Sequence, residues 1–182
     1  MELGGDQRTK DDICKYGCSV MHVFDTEGDL PPFAYSIGIQ QETGAPEVVV
    51  IGLKRPMAHS VINEYNNRVR EGERFEVGKY YEGFLEGFEI YIGAVPPSVY
   101  SDYFGQNIDF YDGRDFQVLQ VIYPTTKGVW PWADDAQSRS FIGNLFLQRR
   151  ARTMPLNMPI DTDQQQQEAA SPQSVVVRSS SR

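Results

Sequence analysis

The chain has 182 residues, of which 40% are hydrophobic, with ten Phe, ten Tyr and two Trp, enough for one packed domain plus an appendage. Its net charge of −8, with Lys and Arg scattered, lacks the basic stripe that nucleic acids or anionic membrane surfaces require. The same acidity suits a basic protein partner through electrostatic steering.

Residues 1–10 read as a flexible leader, polar and mixed in charge, with no apolar stretch of an export signal. No apolar run approaches the roughly 18 residues of a membrane span, so the expected location is cytoplasmic. Cys14 and Cys18 form C-x3-C, not the C-x-x-C of a redox pair, and His22 lies four residues on. A zinc site needs a fourth ligand, so two reduced thiols are expected and no metal.

Residues 18–24, CSVMHVF, alternate as a strand, and GDLPP is a turn. FAYSIGI (33–39) is β-rich, QQETGAP reads as a loop, and EVVVIGL (47–53) reads as a strand buried on both faces. RPMAHSVINEYNNRVREGE is the clearest helix. Pro56 suits its first turn, Gly72 its C-terminal cap, and Met57, Val61, Tyr65 and Val69 form its apolar stripe. His59 flanks that stripe.

The glycines of residues 75–95 punctuate a strand meander. PPSVYSDYFGQN reads as a short helix, with Ser98 as N-cap, Asp102 in its first turn and Gly105 ending it. FQVLQVIYP (116–124) is a core strand. TTKGVWPWADD follows as a turn and an aromatic lip, and SRSFIGNLFLQRRA as a terminal helix. Residues 11–152 thus make a single domain. From 153 the glutamine run, prolines and serines predict a disordered tail. The tail holds Asp161, Asp163 and Glu168 against Arg178 and Arg182, so the acidity belongs to the domain. The expected fold class is α+β: a mainly antiparallel sheet or small barrel with two to three helices.

No catalytic constellation is legible. Ser60 adjoins His59, but helix neighbours point to different faces, and no G-x-S-x-G turn is present. Neither G-x-G-x-x-G nor G-x4-G-K-[ST] occurs. Asp134 and Asp135 are the one acidic pair beside bulky aromatics. Glu47 opens the buried strand, where desolvation would raise its pKa. Trp130 and Trp132 flank a proline, and such a rigid surface caps a core, stacks on a planar ligand or anchors a partner.

PPFAYSIGI, PEVVVIGL, the helix VINEYNNRVREGERF, then VLQVIYP and KGVWPW together resemble the bacterial domain-of-unknown-function family 4262 over about residues 10–135. Pro32, Phe33, Tyr35, Ser36, Gly38, Pro46, Glu47, Gly52, Gln120, Pro124, Gly128, Pro131 and Trp132 carry the likeness. Thr125 departs from it, since an acidic residue is usual there. The resemblance implies an outline and no activity.

Tyr35 and Ser36 are expected on opposite faces of one strand, one toward the core and one outward, with Glu47 beside them. A Tyr–Glu contact there either locks the sheet or lines a pocket. Candidate binding residues are therefore His22, Tyr35, Ser36, Glu47, Trp130 and Trp132. The leading expectation is a non-enzymatic domain binding a basic partner, of the immunity or antitoxin kind, without cofactor. The rival is a small-ligand or cofactor domain, an enzyme included, whose pocket Trp130, Trp132, Tyr35 and His22 line, with Glu47 as polar handle. A third reading is an adaptor tethered by its glutamine-rich tail.

Overall fold

A computed structural model describes residues 7–24 and 31–133 of the chain. The elements run α1 (Gln7–Tyr16), β1 (Ser19–Val23), β2 (Phe33–Ile37), α2 (Ile39–Thr43), β3 (Glu47–Ile51) and α3 (Arg55–Arg70). There follow β4 (Tyr80–Leu85), β5 (Phe88–Ala94), a 3-10 turn at Pro97–Val99, α4 (Tyr100–Tyr103), α5 (Gly105–Phe110) and β6 (Val118–Ile122).

The six strands form one sheet in the order β1-β2-β3-β6-β5-β4. Every neighbouring pair is antiparallel except β3 with β6. The expected α+β class and mainly antiparallel sheet are present. The sheet is open, with β1 and β4 as its edges, and is not a barrel.

Helices exceed the expected two to three. QQETGAP, read as a loop, opens in α2, because Gly38 and Gly44 bracket a single helical turn. The expected short helix splits in two. Ser98 lies in the 3-10 turn and caps nothing, and Gly105 begins α5 instead of ending a helix. Residues 7–10, read as part of the leader, belong to α1. The terminal helix expected at 138–151, the tail from 153, and Asp134 and Asp135 lie outside the described residues.

Strand alternation divides the core between the two sheet faces. Val48, Val50, Leu119, Val121, Ile90 and Ile92 pack against α3. Tyr35, Ile37, Val49, Ile51 and Val118 pack against aromatic side chains of the α4–α5 segment and Ile13 of α1. The central strands β3 and β6 are buried at all five positions each, as a run covered on both faces requires. A fully buried Val or Ile contributes on the order of 1.5–3 kcal/mol, so these strands dominate the stability.

In α3, Pro56 sits in the first turn, and Gly72 just past the C-cap has φ +101°, a left-handed stop. The buried stripe is Ala58, Val61, Ile62, Tyr65, Asn66 and Val69. Met57, expected in that stripe, is exposed. Tyr65 crosses the layer, its hydroxyl donating to the Pro46 carbonyl at 2.9 Å. That bond fixes the approach to β3 and to Glu47. No helix among the described residues is long and apolar enough to cross a membrane.

Candidate functional site

At the end of β2, Gly38 adopts φ +99°, and a Cβ there would lie 2.6 Å from Ile13 Cδ1. Only glycine meets both conditions. The left-handed turn aims two backbone amides at the first side chain of β3. Gly38 N–H donates to Glu47 Oε1 at 2.9 Å and Gln40 N–H donates to it at 3.1 Å. The Tyr111 hydroxyl, just beyond α5, donates to the same oxygen, and Ser36 Oγ donates to Oε2 at 2.5 Å.

Ser36 does a second job. Ladder pairing between β2 and β3 ends at Tyr35 and Val49, and Ser36 Oγ accepts the next amide, Val48 N–H, at 2.9 Å. Its carbonyl accepts from Asn107 Nδ2 at 3.1 Å. Gln40 extends the junction to the approach of β6, accepting from Gln117 N–H at 2.8 Å and donating to the Asp115 carbonyl at 3.2 Å. One carboxylate therefore ties together β2, α2, β3 and the segment from α5 to β6.

Glu47 is fully buried, and no Lys or Arg among the described residues pairs with it. Burial pushes its pKa above the ordinary carboxylate range, while the Ser36, Tyr111, Gln40 and Gly38 donors pull it back. Four donors engage the carboxylate, three at Oε1 and one at Oε2. A general base needs a free lone pair within reach of a substrate proton, and Glu47 is sealed from solvent. The arrangement locks neighbouring elements together through Ser36 and Tyr111, and not through the expected Tyr35–Glu47 contact.

The partners differ from those expected. Tyr35 and Ser36 are both buried, because helices cover both sheet faces. Glu47 pairs with Ser36 and Tyr111, whereas Tyr35 packs edge-on against Phe104 at 5.2 Å. Burial pushes the Tyr35 phenol up to about 12. Cys18 is buried too, and burial, then the Glu47 charge, raises its thiol to about 12, leaving an unreactive side chain. Cys18 lies in the bend before β1, and His22 is the fourth residue of that strand. Among the described residues no three His, Cys, Asp or Glu side chains converge.

Trp130 and Trp132 lie together against β4 and β5, toward one edge of the sheet. Thr125 shapes their loop: its Oγ1 accepts Val129 N–H at 3.1 Å and its carbonyl accepts Gly128 N–H at 2.8 Å. That turn stacks Trp130 on Trp132, with ring centroids 4.9 Å apart and planes 13° from parallel. Tyr80 of β4 and Tyr91 of β5 are register partners. Tyr80 meets Trp130 edge-on at 5.1 Å, Tyr91 meets Trp132 at 5.0 Å, and the two tyrosines meet at 5.2 Å. The four rings close a circuit, with Tyr80 46% and Trp132 38% exposed.

Glu82 and Glu89 lie two residues along their strands from Tyr80 and Tyr91, and Glu86 lies in the hairpin turn. Ile90 and Ile92 point toward α3, so Tyr91 and Glu89 share the other face. Glu82, Glu86 and Glu89 are exposed on the hairpin and form no ion pair among the described residues. The nearby Arg68 is already held by Glu73, at 2.6 and 2.7 Å. The structure thus sets Trp130 and Trp132 together and Ser36 with Glu47. Tyr35 lies inside the α4–α5 layer, and His22 sits on the far edge strand, stacked near His59. These six residues line no common pocket.

Tyr111, Asn107, Tyr80 and Tyr91 complete the two regions, and sequence reasoning missed all four. Tyr111 and Asn107 lie in a short helical stretch with no periodicity to reveal which side chains turn inward. Tyr80 and Tyr91 pair only through a register shift between Tyr81 and Leu85, which equal counting from the hairpin turn does not reveal.

The model of the family described as Domain of unknown function (DUF4262) matches residues 12–137, well over half of the chain. The chain belongs to the DUF4262 family. The match starts within α1 and takes in the Glu47 lock and both tryptophans of the aromatic circuit, so both are built from DUF4262 sequence. No curated protein matches the sequence. Among solved structures, it is similar to a crystal structure from Neisseria gonorrhoeae FA 1090 described as a SUFU (suppressor of fused protein) homolog. The identity is 16%, over 66% of this chain and 78% of that one, with a TM-score of 0.41.

Proposed function

We propose that this DUF4262 domain is a non-enzymatic binding module that engages a basic protein segment through the aromatic circuit and acidic hairpin of β4 and β5. The observation that carries the reading is the half-exposed circuit of Tyr80, Tyr91, Trp130 and Trp132, on a hairpin whose carboxylates form no ion pair among the described residues. Arginine and lysine side chains suit such a surface twice over. They lay apolar stems and cations on aromatic faces, and they pair with the carboxylates along the hairpin.

The sealed Glu47 supports the non-enzymatic part, because the one fully buried carboxylate among the described residues is committed to the fold. An immunity or antitoxin role is one form of this binding, with a basic toxin on the same face. The small-ligand pocket has less support, because its proposed walls lie at opposite edges of the sheet.

The two tryptophans of the chain both lie in the circuit, so intrinsic fluorescence reports directly on its occupation. Titration with an arginine- and lysine-rich peptide should give a saturable change that weakens as salt rises from low to high ionic strength. Native mass spectrometry of protein from its own host should show a protein-sized mass that dissociates on denaturation. Fluorescence that no basic chain moves, with a bare monomer in the mass spectrum, would overturn the reading. A salt-independent response to a neutral planar compound would replace it with the small-ligand one.

A further inference from the structure

The two edges of the sheet are built differently. At β4, pairing with β5 shifts register between Tyr81 and Leu85, Gly83 holds φ +87°, and Arg68 Nη1 donates to the Glu82 carbonyl at 2.8 Å. A shifted register, a charged side chain on the strand and an occupied carbonyl all hinder an edge from pairing with another strand. β1, at the other edge, has none of these among the described residues. Ser19–Val23 reads SVMHV, without a charge or a proline, and pairs with β2 in unbroken register.

The bonding of β2 decides which backbone groups of β1 face outward. Gly52 N–H donates to the Pro32 carbonyl at 2.7 Å, and Phe33 lies opposite Ile51, so Pro32 and Gly52 form a hydrogen-bonded pair. Such pairs alternate along an antiparallel ladder, so Ala34 bonds toward β3, while Phe33, Tyr35 and Ile37 bond toward β1. Their register partners Val23, Met21 and Ser19 are thereby engaged. Val20 and His22 turn their N–H and C=O groups to the open side, where no described residue bonds them. Both core layers also run out to this edge. Val20 packs on the α3 side, Met21 and Val23 on the α4–α5 side, all three only half-buried, and Phe24 just beyond is exposed.

We propose that β1 is a pairing edge at which two copies of this chain join, antiparallel about a two-fold axis at Met21, so that one sheet runs through both protomers. In that register Val20 of each copy lies opposite His22 of the other, and these outward pairs exchange their backbone hydrogen bonds. Met21 meets Met21 across the axis, Ser19 meets Val23, and the apolar layer on each face continues from one copy into the next. Charge selects a second copy as the occupant. Two chains of net charge −8 repel over most of their surface, and β1 is an edge where like meets like without opposed charges. A basic partner gains no ion pair from this strand and is drawn to the glutamates at the β4 edge. A seam of five residues a side falls short of the ~1,200 Å² of a standard stable interface, so the dimer is weak and reversible.

The test is sedimentation equilibrium of the full chain from about 5 to about 500 µM, a span suited to a small interface. The weight-average mass should climb from one copy toward two. Amide exchange followed residue by residue should show Val20 and His22 slowing as concentration rises, with Met21, bonded to β2, slow throughout. His22→Pro removes an outward N–H and no ladder bond, so it should stay monomeric and melt close to dilute wild type. Should His22→Pro fail to fold, His22→Lys replaces it as a charge on the edge. In a Cys14→Ser background, which removes the exposed thiol, Met21→Cys should cross-link the copies under mild oxidation. Opposed residues of a non-hydrogen-bonded pair have Cα atoms about 4.5 Å apart, within disulfide reach. Val23→Cys, opposite Ser19, should not cross-link. Wild type that stays monomeric at the highest concentration would overturn the proposal. So would a dimer that His22→Pro or His22→Lys leaves intact, or a Val23→Cys cross-link as fast as that at Met21. A monomer whose Val20 and His22 amides are already slow would overturn it too, since another part of the same chain would then cover the edge.

Discussion

The Glu47 lock and the aromatic circuit are built from the same kinds of side chain and end in opposite states. At the lock, Ser36, Tyr111 and two backbone amides spend their hydrogen bonds on one buried carboxylate. At the circuit, four rings pack on one another, three pairs edge to face and the two tryptophans stacked, and still leave Tyr80 and Trp132 open to solvent, near glutamates that form no ion pair among the described residues. Polar chemistry that is fully satisfied inside a protein stabilises it and does little else. Apolar and charged surface left unsatisfied outside is what a partner can cover. The lesson is that a conspicuous residue reports function through what remains uncommitted after folding. Substitutions at the two regions should therefore separate stability from binding.

The largest effect is expected at Glu47. Glu47→Ala leaves the Ser36, Tyr111, Gly38 and Gln40 donors without their acceptor in a sealed site. A buried donor without a partner costs about 1–3 kcal/mol, and with partial relaxation the total should reach about 3–5 kcal/mol. Chemical denaturation would measure it, and a loss under about 1 kcal/mol would show that the lock is dispensable. Glu47→Gln tests the charge separately. Because burial raises the folded pKa of Glu47, its contribution is fully present below about pH 4.3 and declines as pH rises through the folded value. The wild type should show that decline in its denaturation midpoint, and Glu47→Gln should flatten it.

Gly38→Ala comes next. Alanine at φ +99° costs about 1–2 kcal/mol in backbone strain, and its Cβ would also press on Ile13, for a total of about 2–4 kcal/mol. In an Ile13→Ala background only the strain should remain. Equal costs in both backgrounds would mean that the Ile13 contact contributes nothing.

How far the sequence spoke follows from the same contrast. β3 and β6 were legible because a continuous apolar run has few alternatives, and α3 because Pro56, Gly72 and a four-residue repeat agree. Long-range geometry was not legible. The parallel pairing of β3 with β6 joins strands separated by two helical segments and a hairpin, and no local pattern encodes it. The partners of Glu47 depended on α2 and α5, which are too short to carry a period. Met57 shows the limit of the helical repeat: the four-residue spacing holds, yet the covered stripe lies one position on, at Ala58.

A smaller effect belongs to alkaline pH. The Cys18 thiol, normally near 9, is raised to about 12, and the buried phenols of Tyr35, Tyr65, Tyr111 and Tyr123 are also raised. Groups with raised folded pKa values contribute stability that is intact below their unfolded values and lost as pH climbs toward the folded ones. Denaturation midpoints should hold up to about pH 8.5 and then fall steadily, and Cys18→Ala should make the first part of that fall shallower. A midpoint flat to pH 11 would mean that these groups ionise as freely in the fold as outside it.

The smallest stability effect is expected at Trp132, where the comparison is sharpest. Trp132 is 38% exposed at the chain's passage out of the circuit, so Trp132→Ala removes contacts with Trp130 and Tyr91 without opening an interior cavity. The expected cost is about 1 kcal/mol, below that of either lock variant. Binding should respond in the opposite order. Truncating a central tryptophan anchor typically costs about 2–4 kcal/mol of affinity, a loss on the order of 30- to 1,000-fold for a basic peptide. Trp130 remains as the fluorescent reporter. A Trp132→Ala protein that binds as tightly as the wild type would reduce the circuit to a cap over β4 and β5. One that keeps its stability and loses its ligand would establish that the fold holds these rings ready for something outside itself.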